Sequence, residues 1–79
     1  MSLSAKQCKM ARMGLGLGVP DLAKLAEVSS DTVTRLEGGG ETNAGTRQAL
    51  RRALEGRGAI FTNGDEPGVK LRKPADAQG

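Results

Sequence analysis

Few side chains in this sequence could carry out chemistry, and their types favour hydrogen bonding over catalysis. The 79 residues include no histidine and a single cysteine, Cys8. No carboxylate pair or Cys/His cluster has the spacing of a catalytic or metal-ligating set. An enzymatic activity is therefore poorly supported, and we expect neither a metal nor a small-molecule cofactor.

The densest group of hydrogen-bonding side chains is the stretch SSDTVTRLE, residues 29–37. Ser29 is a suitable N-cap, so the stretch predicts a helix from Ser30 to about Glu37 with Val33 and Leu36 on its buried side. Four polar positions then face outward: Ser30, Asp31, Thr34 and Arg35. This helix is either a surface that reads a polar partner or a well-capped helix of a small bundle.

A first helix is predicted over residues 4–13. Ser4 is its N-cap, with Gln7 at the capping-box spacing, and the glycines of GLGLG end it. Its buried stripe is predicted at helical spacing: Cys8, Ala11 and Leu15. The glycine run does not match a dinucleotide-binding fingerprint, because no strand precedes it and its third glycine is at the wrong spacing.

Two more helices complete the helical part. Pro20 fits the first turn of the second helix, and Leu25 lies off its inward face. That inward face is Leu22, Ala23 and Ala26. Thr42 or Asn43 caps the fourth helix, which continues to about Gly56. Its buried side is Leu50, Ala53 and Leu54.

The last part of the chain, residues 58–73, has β-like patterning. AIFT and VKLR are short runs separated by NGDEPG, which predicts a hairpin with a six-residue loop. Val69 and Leu71 alternate with Lys70 and Arg72, so one face is apolar and the other basic. The tail over residues 74–79 is expected to be disordered.

Size and composition limit the class of protein. A chain of this length holds one small core, and Phe61 is its only aromatic residue. Cys8 has no partner for an internal disulfide, which fits a reducing compartment. The sequence contains no apolar run of membrane-spanning length and no signal-peptide pattern. We therefore expect a cytoplasmic protein with no membrane partner.

The net charge of +3 is unevenly distributed along the chain. Residues 19–41 carry a net charge of −3, and the cations lie on the segments before and after them. Attraction to the phosphates of a nucleic acid would therefore have to come mostly from those flanking segments.

The order of elements, and a set of residues within it, resemble the lambda-repressor/Cro-like helix-turn-helix family, the XRE-type transcriptional regulators. The residues that match its pattern LA..AGVS..T(I/V)...E.G are Leu22, Ala23, Ala26, Val28, Ser29, Thr32, Val33, Leu36, Glu37 and Gly39. QCKMAR with LGLG, and the later EPGVKLRK, resemble a subgroup of that family. The resemblance implies a mostly α, four-to-five-helix lambda-repressor-like DNA-binding domain over residues 1–57, with the helix-turn-helix at about 19–37 and a short C-terminal β-hairpin.

The sequence departs from the family pattern in three places. The glycine of the turn is Glu27 here, and a left-handed conformation at this residue would cost about 1 kcal/mol, so either the turn geometry shifts slightly or the site tolerates the strain. The Ser-Gln pair that begins the second helix in relatives is Gly18-Val19. The third helix also lacks the Gln and Arg readers that strong repressors carry in its first turn.

The resemblance implies that the outward face of the third helix reads bases in the major groove of DNA. Arg35 is the best specific reader, since it can pair with guanine O6 and N7, and Asp31 can accept from cytosine N4. Ser30 and Thr34 would discriminate weakly. Thr32 would either bond the helix start or contact a thymine methyl group.

Phosphate contacts are implied at positions where relatives hold the DNA backbone: Ser29, Thr42, Asn43 and Thr46. We expect Arg12 and Arg47 to assist. For three further arginines, an ordinary solvated helix face is an equally good interpretation: Arg51, Arg52 and Arg57. Glu37 is expected to be structural, bonded to the backbone or to a nearby cation.

Oligomerisation follows from two points. One copy of such a domain contacts one half-site, and an isolated two-stranded hairpin is marginal in water. Both points predict a homodimer with the hairpin at the interface, through Ile60, Phe61, Val69 and Leu71. The alternative is a hairpin that folds back on its own fourth helix.

The sequence therefore predicts a sequence-specific DNA-binding transcriptional regulator, expected to be a repressor, with double-stranded DNA and a second copy as partners. The alternative is an antitoxin-like or other protein-interaction module that uses the same scaffold. The acidic central segment and the off-face Leu25 support that alternative.

Overall fold

The computed structural model describes residues 3–62 and 68–72. Four helices precede two strands: α1 Ala5–Gly14, α2 Val19–Ala26, α3 Ser30–Glu37, α4 Ala44–Gly56, β1 Ala59–Thr62 and β2 Gly68–Leu71. The prediction of a mostly helical chain with a C-terminal hairpin is confirmed for this part. The predicted disordered tail and the tip of the hairpin lie outside the described residues. None of the helices described is long and apolar enough to cross a membrane.

Side-chain caps fix where three of the helices begin. Ser4 Oγ accepts from the backbone N–H of Gln7 at 3.1 Å, and the Gln7 side chain accepts from the Ser4 N–H at 3.2 Å, which completes the predicted capping box. Ser29 caps α3. Asn43, and not Thr42, caps α4, because its Oδ1 accepts from the backbone N–H of the third helical residue at 2.7 Å.

The helices enclose a small aliphatic core. Its fully buried members come from all four helices and from the chain just before α1, and include Leu3, Cys8, Leu22, Val33, Leu36, Leu50 and Leu54. The predicted inward faces are confirmed, except that Leu15 and Ala53 are only half-buried. Leu25 is 39% exposed, as predicted. Helix α2 packs against both α3 and α4, so the core fixes the orientation of α3.

The two strands form an antiparallel hairpin that packs on its own helices. Phe61 pairs with Val69, and Thr62 pairs with Gly68, so β2 begins one residue earlier than predicted. Strand β1 contacts α4, and β2 lies against α1. The Gln7 side chain donates to the carbonyls of Thr62 and Gly68, each at 3.2 Å. The hairpin therefore belongs to the core of its own chain.

Candidate nucleic-acid interface

A three-residue turn joins α2 to α3, and its first residue has a left-handed conformation. Glu27 has φ 59° and ψ 44°, and it is the only non-glycine residue with positive φ among those described. The Glu27 N–H donates to the carbonyl oxygen of Lys24 at 3.2 Å, and the Val28 N–H donates to the carbonyl oxygen of Ala23 at 2.9 Å. These two bonds form a Schellman motif, which stops α2 and reverses the chain. Of the two outcomes left open by the sequence, a shifted turn or a tolerated left-handed Glu27, the structure has the second.

Helix α3 begins directly after this turn and divides into two faces. Val33 and Leu36 are 0% and 1% exposed. The four positions predicted to face outward are all exposed: Ser30, Asp31, Thr34 and Arg35. They lie at i, i+1, i+4 and i+5, which places them on one side of the helix. The structure therefore brings the predicted base-contact residues together on one continuous surface.

Ser29 and Thr32 are largely occupied with the start of the helix. Ser29 Oγ accepts from the backbone N–H of Thr32 at 3.2 Å and shares a 2.8 Å hydrogen bond with Thr32 Oγ1. Thr32 is half-buried and Ser29 is exposed. Of the two roles predicted for Thr32, bonding to the helix start is the one observed. The hydroxyl of Ser29 is thus held in place as a cap.

The aliphatic stem of Arg35 lies against Gly40, beyond the end of α3. The N–H of Gly40 donates to the Arg35 carbonyl at 2.8 Å. A Cβ atom at position 40 would lie 2.6 Å from Arg35 Cγ and 3.0 Å from the Arg35 carbonyl oxygen. Only glycine allows this approach. Gly40 therefore takes part in orienting the predicted reader, although the sequence pattern indicated only that the glycine run ends the helix.

The beginning of α4 holds the other polar group predicted to contact DNA. Asn43 is exposed, whereas Thr42, Thr46 and Arg47 are half-buried. Arg47 Nε donates to Thr42 Oγ1 at 3.1 Å, which ties this arginine to the chain just before the helix. The first N–H groups of a helix carry a partial positive charge. This end of α4 can thus present backbone donors and one cation to an anion.

Arg12, predicted to contact phosphate, is instead paired inside the protein. Its Nε and Nη2 donate to the two carboxylate oxygens of Glu37 at 2.8 and 3.0 Å, and its Nη1 donates to the Leu17 carbonyl at 3.0 Å. The side chains of Arg12 and Glu37 are only 14% and 9% exposed. A bidentate pair of this kind, with little solvent around it, is a strong interaction within the protein. Glu37 is structural, as predicted.

Cys8 completes this buried polar group. Its Sγ donates to Glu37 Oε2 at 3.5 Å, and the residue is 0% exposed. Burial and the neighbouring Glu37 raise the pKa of the Cys8 thiol to about 12, while Arg12 opposes the rise. The hydrogen bond to Glu37 raises the pKa of Arg12 above its ordinary value. Arg12 therefore stays charged and the Cys8 thiol stays protonated at neutral pH. Their contacts with Glu37 join α1 to the end of α3.

The four residues predicted for dimerisation have two different environments. Phe61 and Val69 are half-buried and pack against the core, and the Arg51 guanidinium lies 5.6 Å from the Phe61 ring centroid. Ile60 and Leu71 are 45% and 44% exposed. Ile60 pairs with Lys70 across the strands. Of the four, Ile60 and Leu71 are the two that are exposed.

Compared with models of known protein families and with curated proteins, the chain matches none. The class of protein therefore rests on the observed architecture alone. The described residues form a small, mostly helical domain with a two-stranded antiparallel hairpin. Residues 3–62 and 68–72 contain no group of three side chains that could hold a metal ion.

Proposed function

We propose that this protein is a sequence-specific DNA-binding transcriptional regulator, acting as a repressor, and that α3 reads the major groove. The proposal keeps the lambda-repressor-like helix-turn-helix interpretation of the sequence for α2, the turn and α3. Ser30, Asp31, Thr34 and Arg35 would contact base edges, with Arg35 as the main specific reader. A bidentate contact from Arg35 to guanine would contribute about 1–3 kcal/mol of discrimination.

The observation that supports this most strongly is the division of α3 into a buried and an exposed face. Val33 and Leu36 lie in the core, and the Arg12–Glu37 pair attaches the end of the helix to α1. The outward side chains are thus presented by a helix whose inner face packs against α1 and α2. A rigid support of this kind is what precise recognition requires.

The beginning of α4 is the proposed contact with the DNA backbone. Asn43 and Thr46 lie at its first turn, and Arg47 is tied to Thr42. Backbone N–H groups at a helix start, together with one cation, suit a phosphate oxygen. Ser29, which is exposed at the start of α3, would make a further phosphate contact. Arg12 is left out of this group because it is paired with Glu37.

We further propose that the DNA-bound form is a homodimer, since one copy of α3 contacts only one half-site. Ile60 is the exposed apolar residue on the outer face of the hairpin, beside Lys70. Each strand of the two-stranded sheet also has one edge that no described strand covers. Sedimentation of Ile60→Asp beside the unchanged chain tests this. A chain that stays monomeric at high micromolar concentration, with and without DNA, would exclude it.

The main test is binding of the full chain to DNA from upstream of its own gene and to random duplex of equal length, across a salt series. Specific binding should persist at physiological salt, because base contacts release no counterions. Arg35→Ala should weaken binding to the specific DNA by about tenfold or more. Arg52→Ala is the matched control, because it removes an exposed arginine from α4.

The two variants separate base reading from simple charge. Arg35→Ala should lower affinity for the specific DNA much more than for random DNA. Arg52→Ala should lower both affinities by similar, small factors. Weak binding that is equal on both DNAs would overturn the proposal. So would equal effects of Arg35→Ala and Arg52→Ala on the specific DNA.

A second candidate function is an antitoxin-like or other protein-interaction module built on the same scaffold. Exposed apolar residues on the helical part favour it: Met10, Met13 and Leu25. Leu25 and Leu17 line a shallow depression with Asp21, Lys24 and Arg57. A small toxin-like reading frame beside the gene would support this function. Many antitoxins also bind DNA, so the two candidates are compatible.

A further inference from the structure

Three exposed apolar side chains lie along α1 and the neighbouring strand β2. Met10 is 47% exposed, Met13 is 61% exposed and Leu71 is 44% exposed. We call these three residues the methionine patch. None of them is needed by the proposed DNA surface on α3. A soluble domain normally buries side chains of this size or covers them with a partner.

The contacts of α1 with β2 show that the three residues adjoin. Gln7 donates to the Gly68 carbonyl at 3.2 Å, at the start of β2. At the other end of the strand, a Cβ atom at Gly14 would lie 2.7 Å from Leu71 Cδ1, so Leu71 lies against the helix at that point. Gln7, Met10 and Gly14 fall on one stripe of α1, at i, i+3 and i+7. Met10 therefore lies beside β2, and Met13 lies next to it on the exposed side.

Two exposed cations border the methionine patch. Lys6 and Lys9 are on the same exposed side of α1, one turn before Met10 and Met13 respectively. In residues 3–62 and 68–72, neither of these lysines forms an ion pair. The patch is thus an apolar centre with a positive rim along α1, the arrangement expected of a surface that binds an acidic, partly apolar partner.

We propose that the methionine patch binds an acidic amphipathic segment of a partner protein, with aliphatic side chains on the patch and carboxylates on Lys6 and Lys9. Methionine side chains are flexible and adapt to different apolar partners. A second copy fits poorly, since a symmetric contact would set the same two lysines against each other. The inference gives the second candidate function a surface and a partner chemistry, and it holds whether or not the chain binds DNA.

The occupant is a protein segment and not another anionic surface for two reasons. Duplex DNA would satisfy the cations but would leave Met10, Met13 and Leu71 against a charged backbone. A membrane-binding surface usually inserts a longer apolar face than three side chains. An acidic amphipathic helix matches both the apolar centre and the positive rim.

The test uses the full isotope-labelled chain and a synthetic peptide with leucines at helical spacing and glutamates elsewhere. Its control is a peptide of equal composition with the leucine spacing scrambled. The amphipathic peptide should shift backbone amide signals in 6–14 and 68–72, and the scrambled peptide should bind about tenfold more weakly. Absence of binding, or shifts confined to other residues, would overturn the inference.

Variants identify which side chains hold the peptide. Met10→Ser/Met13→Ser should weaken peptide binding by about tenfold or more, because both apolar anchors are lost. Leu25→Ser is the matched control, since it removes an exposed leucine from α2 and should leave peptide binding unchanged. Equal effects of the two variants would contradict a site on α1. All of these residues are exposed, so the variants should keep the fold, which a thermal unfolding curve checks.

Other occupants give distinct results. Signals of Met10 and Met13 that move with protein concentration alone would identify a second copy on α1, as distinct from a dimer through the hairpin. Stronger binding of these residues to phosphatidylserine vesicles, or to random duplex DNA, would identify a membrane or a nucleic acid; any of these results overturns the inference. DNA binding by Met10→Ser/Met13→Ser, measured separately, should equal that of the unchanged chain. The failure of one proposal is thereby distinguished from the failure of the other.

Discussion

The two faces of α3 differ in how completely their polar groups are used. On the inner side, Glu37 accepts two hydrogen bonds from Arg12 and one from Cys8. On the outer side, Asp31 and Arg35 form no ion pair with any residue in 3–62 and 68–72. One helix thus carries a charged group that is fully engaged within the protein and another that faces solvent.

This difference separates stability from recognition along a single helix. The inner charges lie where little water reaches them, so each needs its protein partner. The outer charges are solvated, and their loss has little effect on folding. Substitutions on the inner face should therefore change the free energy of unfolding, whereas those on the outer face should change binding.

The largest expected effect comes from removing the cation of the inner pair. Arg12→Met should lower the free energy of unfolding by about 2 kcal/mol, because it leaves the Glu37 carboxylate nearly buried without its partner. Urea denaturation measures the change. Arg12→Met/Glu37→Met should recover much of the loss, since two apolar side chains leave no buried charge without a partner. A double variant as unstable as the single one would show that packing, and not charge, explains the loss.

The next effect is a dependence of stability on alkaline pH through Cys8. Burial raises the pKa of this thiol from its ordinary value of 9.0 to about 12 in the folded chain. The contribution of the protonated thiol to the free energy of unfolding is therefore complete below about pH 9. It is lost as the pH rises toward 12, by about 1.4 kcal/mol for each pH unit. Urea denaturation at pH 8 and pH 10 measures this loss.

The matched variant for this pH effect is Cys8→Ala, which lacks the thiol and should lose less stability between the two pH values. Other groups titrate equally in both chains, so the difference between the chains isolates Cys8. The thiol should also react with a disulfide reagent at pH 8 only when the chain unfolds. Rapid reaction in the folded chain would contradict its burial.

A smaller effect is expected at the turn that sets the direction of α3. Glu27→Gly should raise the free energy of unfolding by about 0.5–1 kcal/mol, since glycine adopts a φ of 59° without strain. Glu27→Ala is the control, because it removes the charge and keeps the Cβ atom. If alanine stabilises the chain as much as glycine, the charge of Glu27 and not its backbone conformation is unfavourable.

The smallest effect on stability is expected on the outer face. Arg35→Ala should change the free energy of unfolding by less than about 0.5 kcal/mol, as for most exposed positions. A thermal unfolding curve, recorded beside that of Arg52→Ala, measures this. A large destabilisation would mean that the stem of Arg35 on Gly40 is part of the packing, and DNA binding by this variant would then have to be corrected for unfolded chain.

Local signals in the sequence predicted the elements well because they act within a few residues. The caps Ser4, Ser29 and Asn43 each bond an N–H three positions away. Glu27 was singled out because it stands where the family pattern has its turn glycine, and the structure shows that it keeps the left-handed conformation. Apolar spacing likewise predicted which side of each helix is buried.

Long-range partners were not predictable in the same way. Arg12 was expected at a phosphate, but its partner Glu37 lies 25 residues further along the chain. Gln7 was identified as part of a capping box, and its second role, bonding both strands of the hairpin, spans 55 and 61 residues. No spacing rule connects such distant positions, since their proximity depends on how the helices pack.

The sequence by itself determined the four helices, their caps, the hairpin and the polar face of α3, because helix propensity, capping and apolar periodicity depend on near neighbours. Only the tertiary structure decided that Arg12 pairs with Glu37, and that the hairpin folds on α1 and α4 of its own chain. These contacts join elements far apart in sequence. They form only when burial of the common core brings those elements together and makes an unpaired polar group costly.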